Sequence, residues 1–172
     1  MILQSERNYS CIDGLEHLDK TIAIQSTGWL KELRLKNFSR FNEIGFPTLK
    51  DEEWKYTNIE PIIKQKYHFA TNAQMTEAEA LKAYLDPAEL NVVFINGTFA
   101  ENYSQLKGLP KGVIITLLAE ATTAYRADLE NILNKYNPSQ ASTFTTLNLA
   151  MANNGIFIKI MDKTRVEKLI HI

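Results

Sequence analysis

The sequence predicts an α+β fold, with a helical N-terminal part, a small mixed or antiparallel sheet near the middle, and helices packed on that sheet. Three observations carry this prediction. An apolar period of 3.6 residues runs from about Lys20 to Ile44. Two short apolar runs, Val92–Ile95 and "GVIITLL" from Gly112, are bounded by turn residues. A segment of alternating type, Ile156–Ile160, follows a stretch patterned as a helix. With 172 residues, of which 45% are hydrophobic, the chain is long enough to bury one substantial core.

Taken in order, the first helix places Leu30, Leu33, Phe38, Phe41 and Ile44 on one arc, and Gly45 with Pro47 ends it. Lys36 and Arg40 fall on its polar side and read as a solvated face. Arg34 projects into the apolar arc, where a guanidinium needs a partner; pairing with Glu52 or Glu53 is expected. A second helix is expected over 76–85, because Thr76 and Glu79 have capping-box spacing and Asp86-Pro87 is a stop signal. Val92–Ile95 then reads as a strand entering a tight hairpin at Asn96-Gly97, and "GVIITLL" as another strand. Tyr125, Leu129, Ile132, Leu133 and Tyr136 mark an amphipathic helix that Asn137-Pro138 interrupts. "STFTTLNLAMANNG" predicts a helix opened by Ser142 or Thr143 and closed near Gly155. Ile156–Ile160 reads as a strand with one buried face. The closing "VEKLIHI" is extended and apolar, which suggests either the front of a longer architecture or a terminal strand docked within the domain.

Composition narrows the function classes. Lys and Arg number 19 against 20 Asp and Glu, so no long-range field favours nucleic acid or an anionic membrane. The single cysteine, Cys11, cannot close an intrachain disulfide or supply the several thiolates of a cluster or structural zinc site. The N-terminal residues lack a basic leader with an apolar stretch, and no apolar run reaches the roughly 20 residues of a membrane helix. A cytoplasmic protein is expected. No phosphate loop, dinucleotide fingerprint, zinc-protease motif or nucleophile elbow occurs. Asp13 and His17 stand four apart, but two ligands make a poor metal site; His68 and His171 each stand alone among apolar neighbours. Glu52 and Glu53 are adjacent and point apart, so they read as a helix-start pair or as partners of Arg34 and Lys55 rather than as an acid–base pair. No enzyme is indicated.

The stretch "FPTLKDEEWKYTNIEPI" is the unusual one. Trp54 and Tyr56 have the spacing that puts both rings on one side of an extended segment, with Lys55 and Thr57 opposite. Such a segment serves either as a latch pinned by two aromatics or as a docking site for a partner.

"RFNEIGFPTLKDEEWKYTNI" resembles the N-terminal signature of the SufB/SufD family of iron–sulfur cluster assembly proteins, through Arg40-Phe41, Gly45, Pro47-Thr48 and Glu52-Glu53-Trp54-Lys55-Tyr56-Thr57. Asn96-Gly97 is similar to the family's hairpin. Leu147, Asn148, Ala150 and Gly155 are similar to its Leu-Asn-x-Ala helix and the glycine after it. "VEKLIHI" resembles the entry strand of its β-helix, with Leu169 where proline is usual. The resemblance runs from about Trp29 to the C-terminus and is closer to SufD than to SufB. It implies a scaffold subunit acting with SufB-like and SufC-like partners, of which residues 1–160 form the N-terminal α+β domain and 161–172 the start of the β-helix. The resemblance implies no cofactor in this segment, because the family's cluster-handling histidines and cysteines lie in other regions. An uncovered terminal strand could also pair two copies edge to edge as a homodimer. A free-standing interaction domain docking through Trp54 and Tyr56 is the alternative.

Overall fold

The first helix forms where the apolar period calls for it. In the computed structural model, which describes residues 15, 20–22, 28–68, 81, 83–135 and 142–172, helix α1 spans Gly28–Ile44 and buries Leu30, Leu33, Phe38 and Phe41. Residues 20–22 are also helical. Gly45 ends α1 in the left-handed region at φ 68°, which costs glycine little, and its N–H closes on the Phe41 carbonyl at 2.7 Å. Lys36 and Arg40 are exposed as expected, and Arg40 pairs with Glu43 at 2.8 Å.

The chain divides into two units, one of residues 1–69 and 127–153, the other of 70–126 and 154–172. In the first unit, α1 is followed by a 3-10 turn at Glu52–Trp54 and a short helix α2, Glu60–Ile63, with proline in its first turn. Lys64 hydrogen-bonds Glu60 and holds its carboxyl below the ordinary range. Any stability this adds is present above the ordinary carboxylate pKa and is lost as pH falls through the lowered one.

Helix α3 covers Leu118–Ala124 in the second unit, and α4 covers Arg126–Lys135, close to the amphipathic stretch expected there. Helix α5, Thr143–Ala150, packs on α1. Ser142 caps it, accepting from the Thr145 N–H. It ends at Ala150, earlier than the predicted stop near Gly155, because Gly155 instead leads into a strand and packs close to Leu118.

Short strands build the second unit. β1 is Leu90–Asn91, β2 Phe94–Ile95, β3 Thr98–Phe99, β4 Val113–Leu117, β5 Ile156–Ile160 and β6 Ile170–His171. The turn between β2 and β3 is Asn96-Gly97, with both residues at positive φ (51° and 77°), which matches the twist of a two-residue hairpin. Phe94 and Phe99 face each other across it with centroids 5.9 Å apart. The predicted Val92–Ile95 strand is broken in two, since the chain changes partners there: the Val92 N–H goes to the His171 carbonyl, whereas the Val93 N–H goes to Ser104 Oγ. β1 and β6 pair in parallel, so the terminal segment docks within this unit. β4 and β5 pair antiparallel over five residues.

The alternating segment forms strand β5 as expected; its buried residue is Phe157, stacked on Tyr125 at 5.2 Å, whereas Ile160 is 51% exposed. Helix α3 was not anticipated, because "LAEATTA" carries only Ala121 into the core and so shows no apolar period. The helix expected over 76–85 lies mostly outside the described residues, as do Cys11, Asp13, His17 and Asn137-Pro138; Leu81 is helical and residues 83–84 form a turn.

Gly112 sits at φ 92°, and a Cβ there would lie 2.3 Å from Thr164 Oγ1. Gly112→Ala is therefore expected to lower stability by about 1–3 kcal/mol in urea denaturation; adding Thr164→Ala should restore the steric part and leave the backbone part. Lys163, a non-glycine residue at φ 62°, gives the opposite case: Lys163→Gly should raise the unfolding free energy by about 0.5–1 kcal/mol, seen as a higher urea midpoint.

Candidate functional site

The site lies in the first unit, where α1, α5 and the segment after α1 meet. Residue 34 of α1 reaches the C-terminal end of α5, and the residue after α1 reaches the N-terminal end of α5, so the two helices run antiparallel. Between these ends Phe38, Phe41, Leu147 and Ala150 share one buried cluster, and Leu30, Leu33 and Leu149 another. Each fully buried side chain of this size contributes about 1.5–3 kcal/mol.

Polar ties fix both ends of the pair. Arg34 is 1% exposed, and its Nε donates to the Ala150 carbonyl at 3.0 Å, with a longer contact of 3.4 Å from its η nitrogen to Asn153 Oδ1. The last carbonyls of a helix have no partner within it and carry the negative end of its dipole, so a cation is stabilising there. Arg34 thus caps α5 from another helix. It does not pair with Glu52 or Glu53, which are exposed; its partners among the described residues include the helix terminus and Asn153. Burial lowers the guanidinium pKa, but arginine still keeps its proton at any physiological pH. At the other end, Thr143 Oγ1 donates to the Gly45 carbonyl at 2.9 Å. Asn37 and Thr146, both buried, hydrogen-bond carbonyls of their own helices, Leu33 and Ser142.

From Gly45 the chain folds back over α5. Pro47 is buried. The Thr48 N–H and hydroxyl both donate to Asp51 Oδ2, at 2.6 and 3.1 Å, and close a turn. Glu52 and Glu53 occupy the first turn of the 3-10 helix that follows, as a helix-start pair does. The segment is therefore coiled rather than extended, and the two rings part company. Trp54 packs on Phe144 with centroids 5.3 Å apart, and Phe144 continues through Phe46 (6.1 Å) to Phe41 (5.2 Å), forming an aromatic chain into the core. Tyr56 is 91% exposed, with Lys55 Nζ 5.6 Å from its ring, and Thr57 is exposed too. One ring latches; the other faces solvent, because a 3-10 turn does not repeat at two residues.

Sequence reasoning missed Phe144 and the Ala150 carbonyl, and read Thr143 only as a possible helix opener, not as the tie to Gly45. Phe144 carried a signal, as an aromatic beside the helix start at Ser142. The carbonyl carried none, since any residue has one. Among the described residues no group of three His, Cys, Asp or Glu side chains is arranged to hold a metal ion, and no helix is long and apolar enough to cross a membrane.

These roles separate by stability. Arg34→Met should cost about 2–4 kcal/mol in chemical denaturation, because it leaves the Ala150 carbonyl buried without its donor. Trp54→Ala should cost about 2–3 kcal/mol, whereas Tyr56→Ala should change stability by less than about 0.5 kcal/mol.

With this geometry in hand, the comparisons with known proteins are direct. The family model for the SufBD protein N-terminal region matches residues 4–172. Over 127 residues the chain is 26% identical to an iron–sulfur cluster assembly SufBD family protein of Synechocystis sp.. The match covers 73% of this chain and 28% of that relative, so the chain spans less than a third of the relative's length. The motif that runs from Arg40 through the Trp54 latch lies inside the matched region, and the chain belongs to the SufBD family, as its N-terminal region.

Proposed function

We propose that this chain is the N-terminal domain of a SufD-like scaffold subunit in iron–sulfur cluster assembly, with a structural and partner-access role rather than a catalytic one. The observation that carries the reading is the family match over residues 4–172, within which Phe41, Gly45, Pro47 and Trp54 of the motif are buried or engaged in packing. Arg34, Gly45, Pro47 and Trp54 tie the helix pair together, and this engagement supports a mechanical role for them. The relative's printed role in iron–sulfur cluster assembly supports the same assignment. On this reading the domain acts in the cytoplasm beside SufB-like and SufC-like subunits and holds no cofactor of its own, the cluster being cargo. Residues 161–172 lead into a β-helix beyond residues 1–160.

A second reading concerns how partners meet the domain, and Tyr56 favours it. A ring 91% exposed and beside a lysine is poorly explained by stability. Tyrosine in that state is well suited to anchor an interface, with Lys55 against the ring and the exposed Glu52 and Glu53 close by in sequence. Docking of an assembly subunit would use this surface, whereas a homodimer would form by edge-to-edge pairing of the terminal strand.

The test uses the full-length parent protein. Deleting residues 1–160 should leave cluster formation per assembled complex within about twofold while lowering the yield of complex. Tyr56→Ala should weaken co-purification of the SufB-like or SufC-like subunit with melting unchanged. Stoichiometric uptake of iron or nucleotide by the 172-residue chain alone, or turnover of a metabolite by it, overturns the non-catalytic reading.

A further inference from the structure

We infer that the outer edge of β4 is a docking slot for one extended segment of another polypeptide, which adds to it as a third strand. This lies in the second unit and does not depend on the role proposed above.

The hydrogen-bond register identifies the open edge. The Leu118 N–H bonds to the Gly155 carbonyl, and the Met161 N–H to the Gly112 carbonyl. With the pairing Ile114↔Lys159 and Thr116↔Phe157, the even-numbered residues of β4 therefore turn their backbone groups toward β5. Those of Val113, Ile115 and Leu117 turn the other way. The Val113 N–H is used by Pro110, and the Leu117 carbonyl opens helix α3 as its N-cap; among the described residues no backbone hydrogen bond occupies the Ile115 N–H and carbonyl or the Leu117 N–H.

Those two residues border a cleft of about 570 Å³, bounded on its far side by the segment from Phe99 to Lys107. That volume is in the range of peptide- and ligand-binding clefts. Alternation puts Ile115 and Leu117 on one face of the sheet together with Ile156, the partner of Leu117, and Phe99 and Leu106 add to this apolar lining. Leu117 is 37% exposed. Glu101 and Glu120 at the rim outweigh Lys107. The slot thus offers unpaired backbone donors and acceptors, an apolar floor and a rim with net negative charge. The occupant that matches all three is an extended peptide segment with aliphatic side chains at alternate positions and a basic residue beside them. Edge pairing supplies the affinity, and alternate side chains supply the choice of partner.

The test is binding of an acetylated, amidated six-residue peptide of alternating valine and lysine to the 172-residue chain, followed by fluorescence polarisation. Amide hydrogen exchange is read at Ile115 and Leu117. Saturable binding with slowed exchange at those two amides is expected. The same peptide N-methylated on its pairing edge should bind about tenfold more weakly, as should an alternating valine–glutamate version. This control keeps the protein unaltered, so no variant has to fold. Equal binding of the N-methylated peptide, protection elsewhere with none at Ile115 and Leu117, or no saturable binding overturns the proposal.

Discussion

At Arg34 a guanidinium that keeps its proton is buried on the helix that carries Leu30, Leu33, Phe38 and Phe41, and the geometry of the first unit follows from how that charge is satisfied. Its Nε donates to the last carbonyl of α5, where the helix dipole is negative and the backbone has an unmet acceptor. The contact joins residues 116 apart in sequence, so it forms only when α5 has crossed back along α1 in one direction and one register. Sliding either helix by a turn would move the carbonyl by about 5 Å and leave a buried charge without it.

Apolar packing alone would not be as selective. Leucines and phenylalanines tolerate shifts in register better than a directional hydrogen bond does. The second tie, from Thr143 to the Gly45 carbonyl, then serves two ends at once: it engages the carbonyl beyond α1 and holds the start of α5 against it. With both ends fixed, Phe144 is set where Trp54 and Phe46 can reach it. The aromatic latch is a consequence of the helix register. Tyr56, which does not contribute to that packing, is left available for another use.

The second unit is organised differently. Its strands are short, four of the six described ones (β1, β2, β3 and β6) being two-residue pieces in parallel or hairpin pairings. Two-stranded pieces bury one face and leave edges open. β1 manages this by pairing with β6 on one side and bridging to Gln105 on the other, and Asn91 anchors it by donating to the Asp86 carbonyl at 2.7 Å. Among the described residues β4 has β5 on one side only.

Much of this was legible in the residues themselves, wherever a local rule decides the outcome. The apolar arc of α1 and its glycine stop, the Ser142 cap, the Asn96-Gly97 hairpin and the β4 and β5 strands each depend on a few neighbouring residues, so their signals sit in one window of sequence. The demand of Arg34 for a partner was equally readable, because it follows from charge and periodicity. Tertiary structure decided who answered that demand. The answer was a backbone carbonyl, which leaves no mark on residue identity. It also decided that Trp54 and Tyr56 part, since a coiled turn and an extended strand are both compatible with two rings spaced by one residue, and the packing of Phe144 selects between them. The same reason explains the strand faces: alternation marks two sides of β5, and tertiary packing, with Tyr125 stacked on Phe157, decides that Phe157 is the buried residue.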